Sequence, residues 1–224
     1  MGTAARRATP PEAIRAAIIE ATIRLIGRVG VDGVTHRAVA QEAGVSLSST
    51  TYHYASKDEI VSEALRRVAA LEIERVGRDA EWLVEGHADV ASIARALAAW
   101  LAEQLEGPNL LQVRAGYHLQ LEAGKRPELR DINHEWAMAV YGLAERVLRA
   151  AGSPSARTDA RILVNAIDGL RLEATTAPHP GLTKRVGPVI ERLLDALTAP
   201  ATGPRQPPSR RRSSPAGSPR TRRP

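Results

Sequence analysis

Residues 35–57, THRAVAQEAGVSLSSTTYHYASK, read as a short helix, a glycine turn and a second short helix. Thr35 is placed to cap the first helix by accepting a hydrogen bond from a free backbone N–H near Ala38, and Ala38 and Val39 supply a small apolar face. Gly44 falls where the chain must leave the helix in a left-handed conformation, which costs little without a Cβ, and Val45 follows as a buried plug. Ser46 then caps a helix over Leu47–Tyr52. Helices this short do not nucleate alone, so they are expected to pack on their neighbours and on each other through Val39, Val45 and Thr51. The stretch predicts a helix-turn-helix.

The second helix offers Ser48, Ser49, Thr50 and Tyr52, followed by His53 and Tyr54, with no acidic residue among them. Hydroxyls, ring donors and Lys57 suit phosphate oxygens, and a slim Ser/Thr surface lets a helix lie deep in a major groove. As a bare pattern, however, helix-glycine-helix favours a polar turn between two core helices. Resemblance changes that balance. Thr35, Val39-Ala40, Ala43-Gly44-Val45-Ser46, Tyr52-His53-Tyr54 and Ser56-Lys57-Asp58 fall in the order and spacing of a known signature, and the match covers about residues 13–65. The segment resembles the DNA-binding domain of TetR-type (tetracycline-repressor-like) transcriptional regulators. Where many members carry a tyrosine two places before the histidine, this chain has Thr51, with Tyr52 one place later. Residues and resemblance together give an expected DNA-facing set of Thr35, Arg37, Leu47, Ser48, Ser49, Thr50, Tyr52, His53 and Lys57.

The 224 residues are enough for one or two domains with a real core, and the absence of cysteine excludes disulfides and thiolate metal sites. No apolar run precedes Glu12 and none later approaches a membrane span, so the expected location is the cytoplasm. Charge is informative once divided. Residues 1–57 hold seven basic and four acidic side chains, residues 58–200 hold 17 and 21, and residues 201–224 hold seven arginines and no acid. A polyanion partner is therefore indicated at the two ends of the chain rather than along its body.

Thr9-Pro10-Pro11-Glu12 reads as a capping box opening a first helix, with Arg6 and Arg7 just outside it. Ser56-Lys57-Asp58-Glu59 is a second such box, opening a long helix toward Trp82. Further helices are expected from the Asp89 cap, from the Asn109 cap to Gly124, from Pro127 to Gly152, from about Ser155 to Thr176 and from about Thr183 to Thr198. Prolines are expected only at helix boundaries, with Pro178 and Pro180 as stops, and β alternation appears nowhere. The expected class is all-α, about nine helices: an N-terminal three-helix helix-turn-helix domain (1–56), a C-terminal helical ligand-binding and dimerisation domain (57–200), and a disordered Arg/Pro/Ser-rich tail (201–224).

Catalytic signatures such as a G-x-S-x-G elbow, a P-loop or H-E-x-x-H are missing, and no cofactor is expected. His118 and Glu122, four apart, are too few to hold a metal. Rings do concentrate in the middle helices, and Trp100, Tyr117, His118, Trp136 and Tyr141, with Arg114 and Asn165 as polar anchors, form the expected ligand set. Any one ring serves an ordinary core equally well. Asn165, Asp168 and Arg171 recur at helical spacing and could line a pocket or pair across a dimer seam. The resemblance implies an effector-binding, dimerising C-terminal region. The resulting expectation is a homodimer that binds a double-stranded DNA operator with dyad symmetry and is released from it by a small-molecule effector, without a membrane partner. The alternative is an all-α small-molecule-binding protein or enzyme whose N-terminal helices only pack.

Overall fold

In the computed structural model, residues 10–85, 89–105, 107–177 and 181–200 are described, and among them there are nine α-helices, one 3-10 turn and no strand. The Thr9 cap, Arg6, Arg7, Pro178, Pro180 and the arginine-rich tail lie outside the described residues. The helices are α1 (Pro10–Val29), α2 (His36–Ala43), α3 (Leu47–His53), α4 (Lys57–Glu85), α5 (Val90–Gln104), α6 (Gly107–Lys125), α7 (Pro127–Ala150), α8 (Ala156–Thr176) and α9 (Leu182–Thr198).

Local chemistry sets most of these boundaries. The Ser56 hydroxyl accepts the Glu59 N–H at 3.1 Å while the Glu59 carboxylate reaches back to the Ala55 N–H at 2.7 Å, so α4 opens on a working capping box. Asp89 accepts the Ser92 N–H at 2.7 Å and opens α5. Two expectations need correcting. Asn109 does not cap α6, which begins at Gly107; its amide instead donates to the Glu103 carbonyl at 3.2 Å and ties α6 back to α5. Pro188 lies inside α9, contrary to the expected placement of prolines; a ring there removes one helical N–H, and an exposed position in a 17-residue helix tolerates the loss.

The apolar stripes meet in two clusters. The first gathers Ile18, Ile23 and Ile26 of α1, Val39 of α2, Tyr54 just after α3, Ile60, Leu65 and Val68 of α4, Leu119 of α6 and Leu129 and Trp136 of α7. The second gathers Ala80 and Leu83 of α4, Ile93 and Leu101 of α5, Leu143 and Leu148 of α7, Leu163 of α8 and Ile190 and Leu194 of α9. Helix α4, 29 residues and about 43 Å long at 1.5 Å per residue, runs from one cluster into the other. Helix α1 lies so close to α6 that a Cβ built on Gly27 would stand 2.2 Å from the Leu111 carbonyl oxygen. Only glycine allows that approach.

Candidate functional site

The helix-turn-helix is built as its residue types dictate. Thr35 accepts the Ala38 N–H at 3.1 Å, starting α2. Gly44 ends it at φ 67°, and the Val45 N–H reaches back to the Ala40 carbonyl at 3.0 Å. Ser46 accepts the Ser49 N–H at 3.1 Å, and its hydroxyl shares hydrogen bonds of 2.8 Å with the hydroxyls of both Ser48 and Ser49. The salt bridges from Arg24 and Arg28 of α1 to Glu42 clamp α2 against α1. The Arg28 guanidinium first, then that of Arg24, holds the Glu42 carboxyl below its ordinary range. Tyr54 is buried, with Arg15 5.0 Å from its ring centroid, and burial pushes its phenol up.

On the outer face Tyr52 is 84% exposed and Leu47 45%. Thr35, Arg37 and Ser48 are exposed beside them, Ser49 and His53 are half-buried, and the Tyr52 and His53 rings meet edge-on at 5.1 Å. Lys57, half-buried at the start of α4, donates from its Nζ to the Asp32 carbonyl oxygen at 3.5 Å. Thr50 does not join them. It is fully buried, and its hydroxyl donates to the Leu47 carbonyl at 2.8 Å and approaches that of His36 at 3.5 Å. Thr51, expected to pack, is exposed instead. The inward face of α3 is thus one residue earlier than the sequence pattern suggested: a threonine satisfies its own hydroxyl within the helix and so passes for an apolar residue.

The body holds a cavity of about 410 Å³ between α4, α5, α7 and α8, walled by Val76, Leu83, Leu97, Trp100, Leu143, Val147, Leu163 and Ile167. Glu72, Asp79, Glu103 and Asp168 face it against the single guanidinium of Arg171. Burial lifts the Asp79 carboxyl above its ordinary value. At the inner wall Arg171 is 9% exposed and bonds Glu72 at 2.7 Å, Asp168 at 2.8 Å and the Tyr117 hydroxyl at 3.2 Å. The Tyr117 hydroxyl in turn donates to the Asp168 carboxylate at 3.1 Å, and burial pushes this phenol up to about 12. For Arg171 burial opposes the charge most, but Glu72, Tyr117 and Asp168 together outweigh it, and the guanidinium stays firmly protonated.

Of the expected ligand residues, Trp100 lines this cavity and Tyr117 backs it through Arg171 and Asp168. Trp136 is buried behind the inner wall, in a separate small void. Tyr141 and Asn165 bond each other at 3.3 Å, with Arg161 over the tyrosine ring at 4.9 Å, and neither lines the cavity. His118 is exposed and lies against Gly30, where it belongs to the seam between α1 and α6. Arg114, half-buried on α6, is not a lining residue. The acids that the ring-centred reading missed carry a legible signal: Glu72 interrupts the apolar stripe Val68, Val76, Leu83 on α4, and a carboxylate on such a stripe demands a buried partner. Among the described residues no group of three or more His, Asp or Glu side chains could hold a metal, and no helix is long and apolar enough to cross a membrane.

Comparison with known proteins fits both surfaces. Residues 18–64 match the bacterial regulatory proteins of the tetR family, and residues 74–200 match the tetracyclin repressor-like C-terminal domain. The HTH-type transcriptional regulator BetI of Paraburkholderia xenovorans (strain LB400) is 30% identical over 188 residues, 83% of this chain and 93% of that protein. The nicotine-responsive transcriptional repressor HdnoR of Paenarthrobacter nicotinovorans is 27% identical over 187 residues, 81% of this chain and 92% of its own. Among solved structures, the multidrug binding protein EbrR complexed with ethidium superposes with a TM-score of 0.61 at 36% identity, covering 83% of this chain and 99% of that one. EbrR has also been solved with malachite green and with proflavin. The matched relatives are regulators, and nothing in them favours an enzyme whose N-terminal helices merely pack. Matched in both its halves, the chain belongs to the TetR family and is a ligand-responsive, DNA-binding transcriptional regulator.

Proposed function

We propose that this protein is a homodimeric repressor that is released from its operator by a lipophilic organic cation. The observation that carries the choice of effector is the composition of the cavity: apolar walls and the Trp100 ring, with four carboxylates set against one guanidinium. Apolar surface rewards a flat hydrophobic body, and the excess of negative charge selects its sign. The EbrR ligands ethidium, malachite green and proflavin are all aromatic cations, which supports the same class here.

DNA reading falls to residues 1–56 with Lys57 at the edge, effector binding and dimerisation to 57–200, and weak sequence-independent attraction to DNA to the seven arginines of 201–224. The proposed contacts are Thr35, Arg37, Leu47, Ser48, Ser49, Tyr52, His53 and Lys57, without the buried Thr50. Ile162 and Leu172 of α8 and Val189 of α9 are 46%, 46% and 52% exposed, apolar area that a second copy would cover. Two α3 helices about 34 Å apart would then meet successive major grooves of a symmetric site, where one alone reads too few base pairs. The protein is expected to act in the cytoplasm and to do no chemistry on its ligand.

The test begins with an operator selected from random duplexes. Tetraphenylphosphonium, a lipophilic cation that does not intercalate, should release it in a gel shift and quench Trp100, whereas tetraphenylborate, an anion of the same shape, should do neither. Release by anion and cation alike would refute the charge argument, and a stable monomer in sedimentation would refute the dimer.

A further inference from the structure

The site that an organic cation needs is already occupied by the protein's own cation. Arg171 sits between two rings, its guanidinium carbon 5.8 Å from the Trp100 centroid and 5.4 Å from that of Tyr117, and is held by Glu72 and Asp168 at 2.7 and 2.8 Å. Rings and carboxylates in this arrangement are what recognises a bound ammonium or iminium group. The pair is also a partition. Arg171 and Glu72, their side chains each 10% exposed, line both the 410 Å³ cavity and a void of about 10 Å³ behind it. Beyond them lie Val68, Gln112, Val113, Gly116 and Trp136, together with Gln104, 1% exposed, whose Nε2 has no partner.

We infer that Arg171 is a resident cation which the effector must displace, taking over Glu72 and the face of Trp100 and extending the site past the partition toward Trp136. The inference rests on the proposed cationic effector. Displacement exchanges one positive charge for another, so Glu72 is never left buried and unpaired. A neutral molecule of the same shape cannot make that exchange, because freeing Glu72 without a replacement strands a desolvated carboxylate. Neutral ligands are therefore confined to the outer cavity and leave Arg171 in place. The exchange also reaches the DNA-binding end. Glu72 belongs to α4 and Arg171 to α8, so losing their bond removes a tie between α8 and the helix that begins at Lys57. Arg171 is thus a specificity-determining residue, setting which ligands trigger release as well as which ones bind.

The full-length dimer is titrated with ethidium by fluorescence in three forms: wild type, Arg171→Met and Arg171→Lys. Removing the competitor should tighten ethidium binding about tenfold or more in Arg171→Met, because the vacated Glu72 supplies a buried, unpaired anion. Millimolar guanidinium should refill the space and compete with ethidium in that variant, but not in wild type. Arg171→Lys keeps a charge without the planar fork and should be intermediate, which leaves a readable result if Arg171→Met does not fold. Operator affinity without ligand should fall in Arg171→Met, since α4 is already untied from α8. Ethidium binding that is unchanged or weaker in the variants, or guanidinium competition equal in all three, overturns the resident-cation assignment. Failure of the wild type to bind ethidium at all would instead overturn the cationic-effector reading beneath it.

Discussion

Two substitutions of the same kind, Gly27→Ala and Gly77→Ala, should move stability in opposite directions. Both glycines lie inside helices, α1 and α4, where alanine is preferred by about 1 kcal/mol because it restricts the unfolded chain and exposes less backbone. At Gly77 a new Cβ meets nothing within 4 Å, so the full gain is available. At Gly27 the same atom would lie 2.2 Å from the Leu111 carbonyl oxygen, 2.9 Å from its carbon and 3.0 Å from its Cα. Ordinary carbon–oxygen contacts begin near 3.3 Å, so α6 must retreat by roughly 1 Å, and what must move is backbone rather than a flexible side chain. Overpacking of this kind costs about 3 kcal/mol at the upper end of its usual range, leaving a net loss of about 2 kcal/mol after the helical gain. At about 2–4 °C per kcal/mol for a chain of this size, Gly27→Ala should melt about 4–8 °C lower and Gly77→Ala about 2–4 °C higher than wild type. Circular dichroism at 222 nm during a thermal ramp is sufficient. The Gly27 variant should also lose operator affinity well below its melting temperature, since the displaced seam carries the DNA-binding end. A Gly27→Ala protein as stable as wild type would refute the reasoning, as would a Gly77→Ala protein that melts lower.

Thr50→Val should leave operator preference unchanged and cost about 1 kcal/mol through the lost 2.8 Å bond to Leu47, whereas Tyr52→Ala should weaken operator binding without lowering the melting temperature. Equal effects on DNA binding would show that the α3 face has been misassigned. Lys57→Ala should weaken all duplexes alike and reduce the slope of log affinity against log salt by about one. Affinity for ethidium should fall as the medium is acidified, because protonation removes the charge that attracts the cation. Since burial lifts Asp79, that fall should begin above the ordinary aspartate value of 3.8, and calorimetry across an acidic pH series would expose a flat profile if the carboxylates play no part.

The helix-turn-helix was almost fully legible because its determinants are local: the Thr35 and Ser46 caps, the positive φ at Gly44 and the box at Ser56-Glu59 each act within four or five residues. The error at Thr50 and Thr51 arose because a threonine can bury its hydroxyl against its own helix, so polarity alone does not mark the outer face. The proposed effector pocket was far less legible. Its residues come from α4, α5, α7 and α8, and the pairing of Glu72 with Arg171 spans 99 positions that no local pattern connects. Aromatic residues drew attention, yet Tyr141 and His118 serve outer contacts while acids on apolar stripes define the cavity. The recurrence of Asp168 and Arg171 on α8 was visible, but a pocket wall and a dimer seam look the same until α4 is placed opposite.

The first of the two apolar clusters has a consequence for anyone cutting and joining such regulators. It draws on α1, α2 and the start of α4, but also on Leu119 of α6 and on Leu129 and Trp136 of α7. The proposed functional boundary near residue 56 is therefore not a mechanical one. A fragment ending there would expose Ile18, Ile26 and Leu65's partners to water, and a graft onto a foreign body would meet a surface not shaped for Gly27. The transplantable unit would be the proposed reading surface itself, a handful of side chains on α3 and its flanks. Specificity should be exchanged between such proteins by substituting those residues in place, leaving untouched the scaffold that α1, α2, α4, α6 and α7 build beneath them.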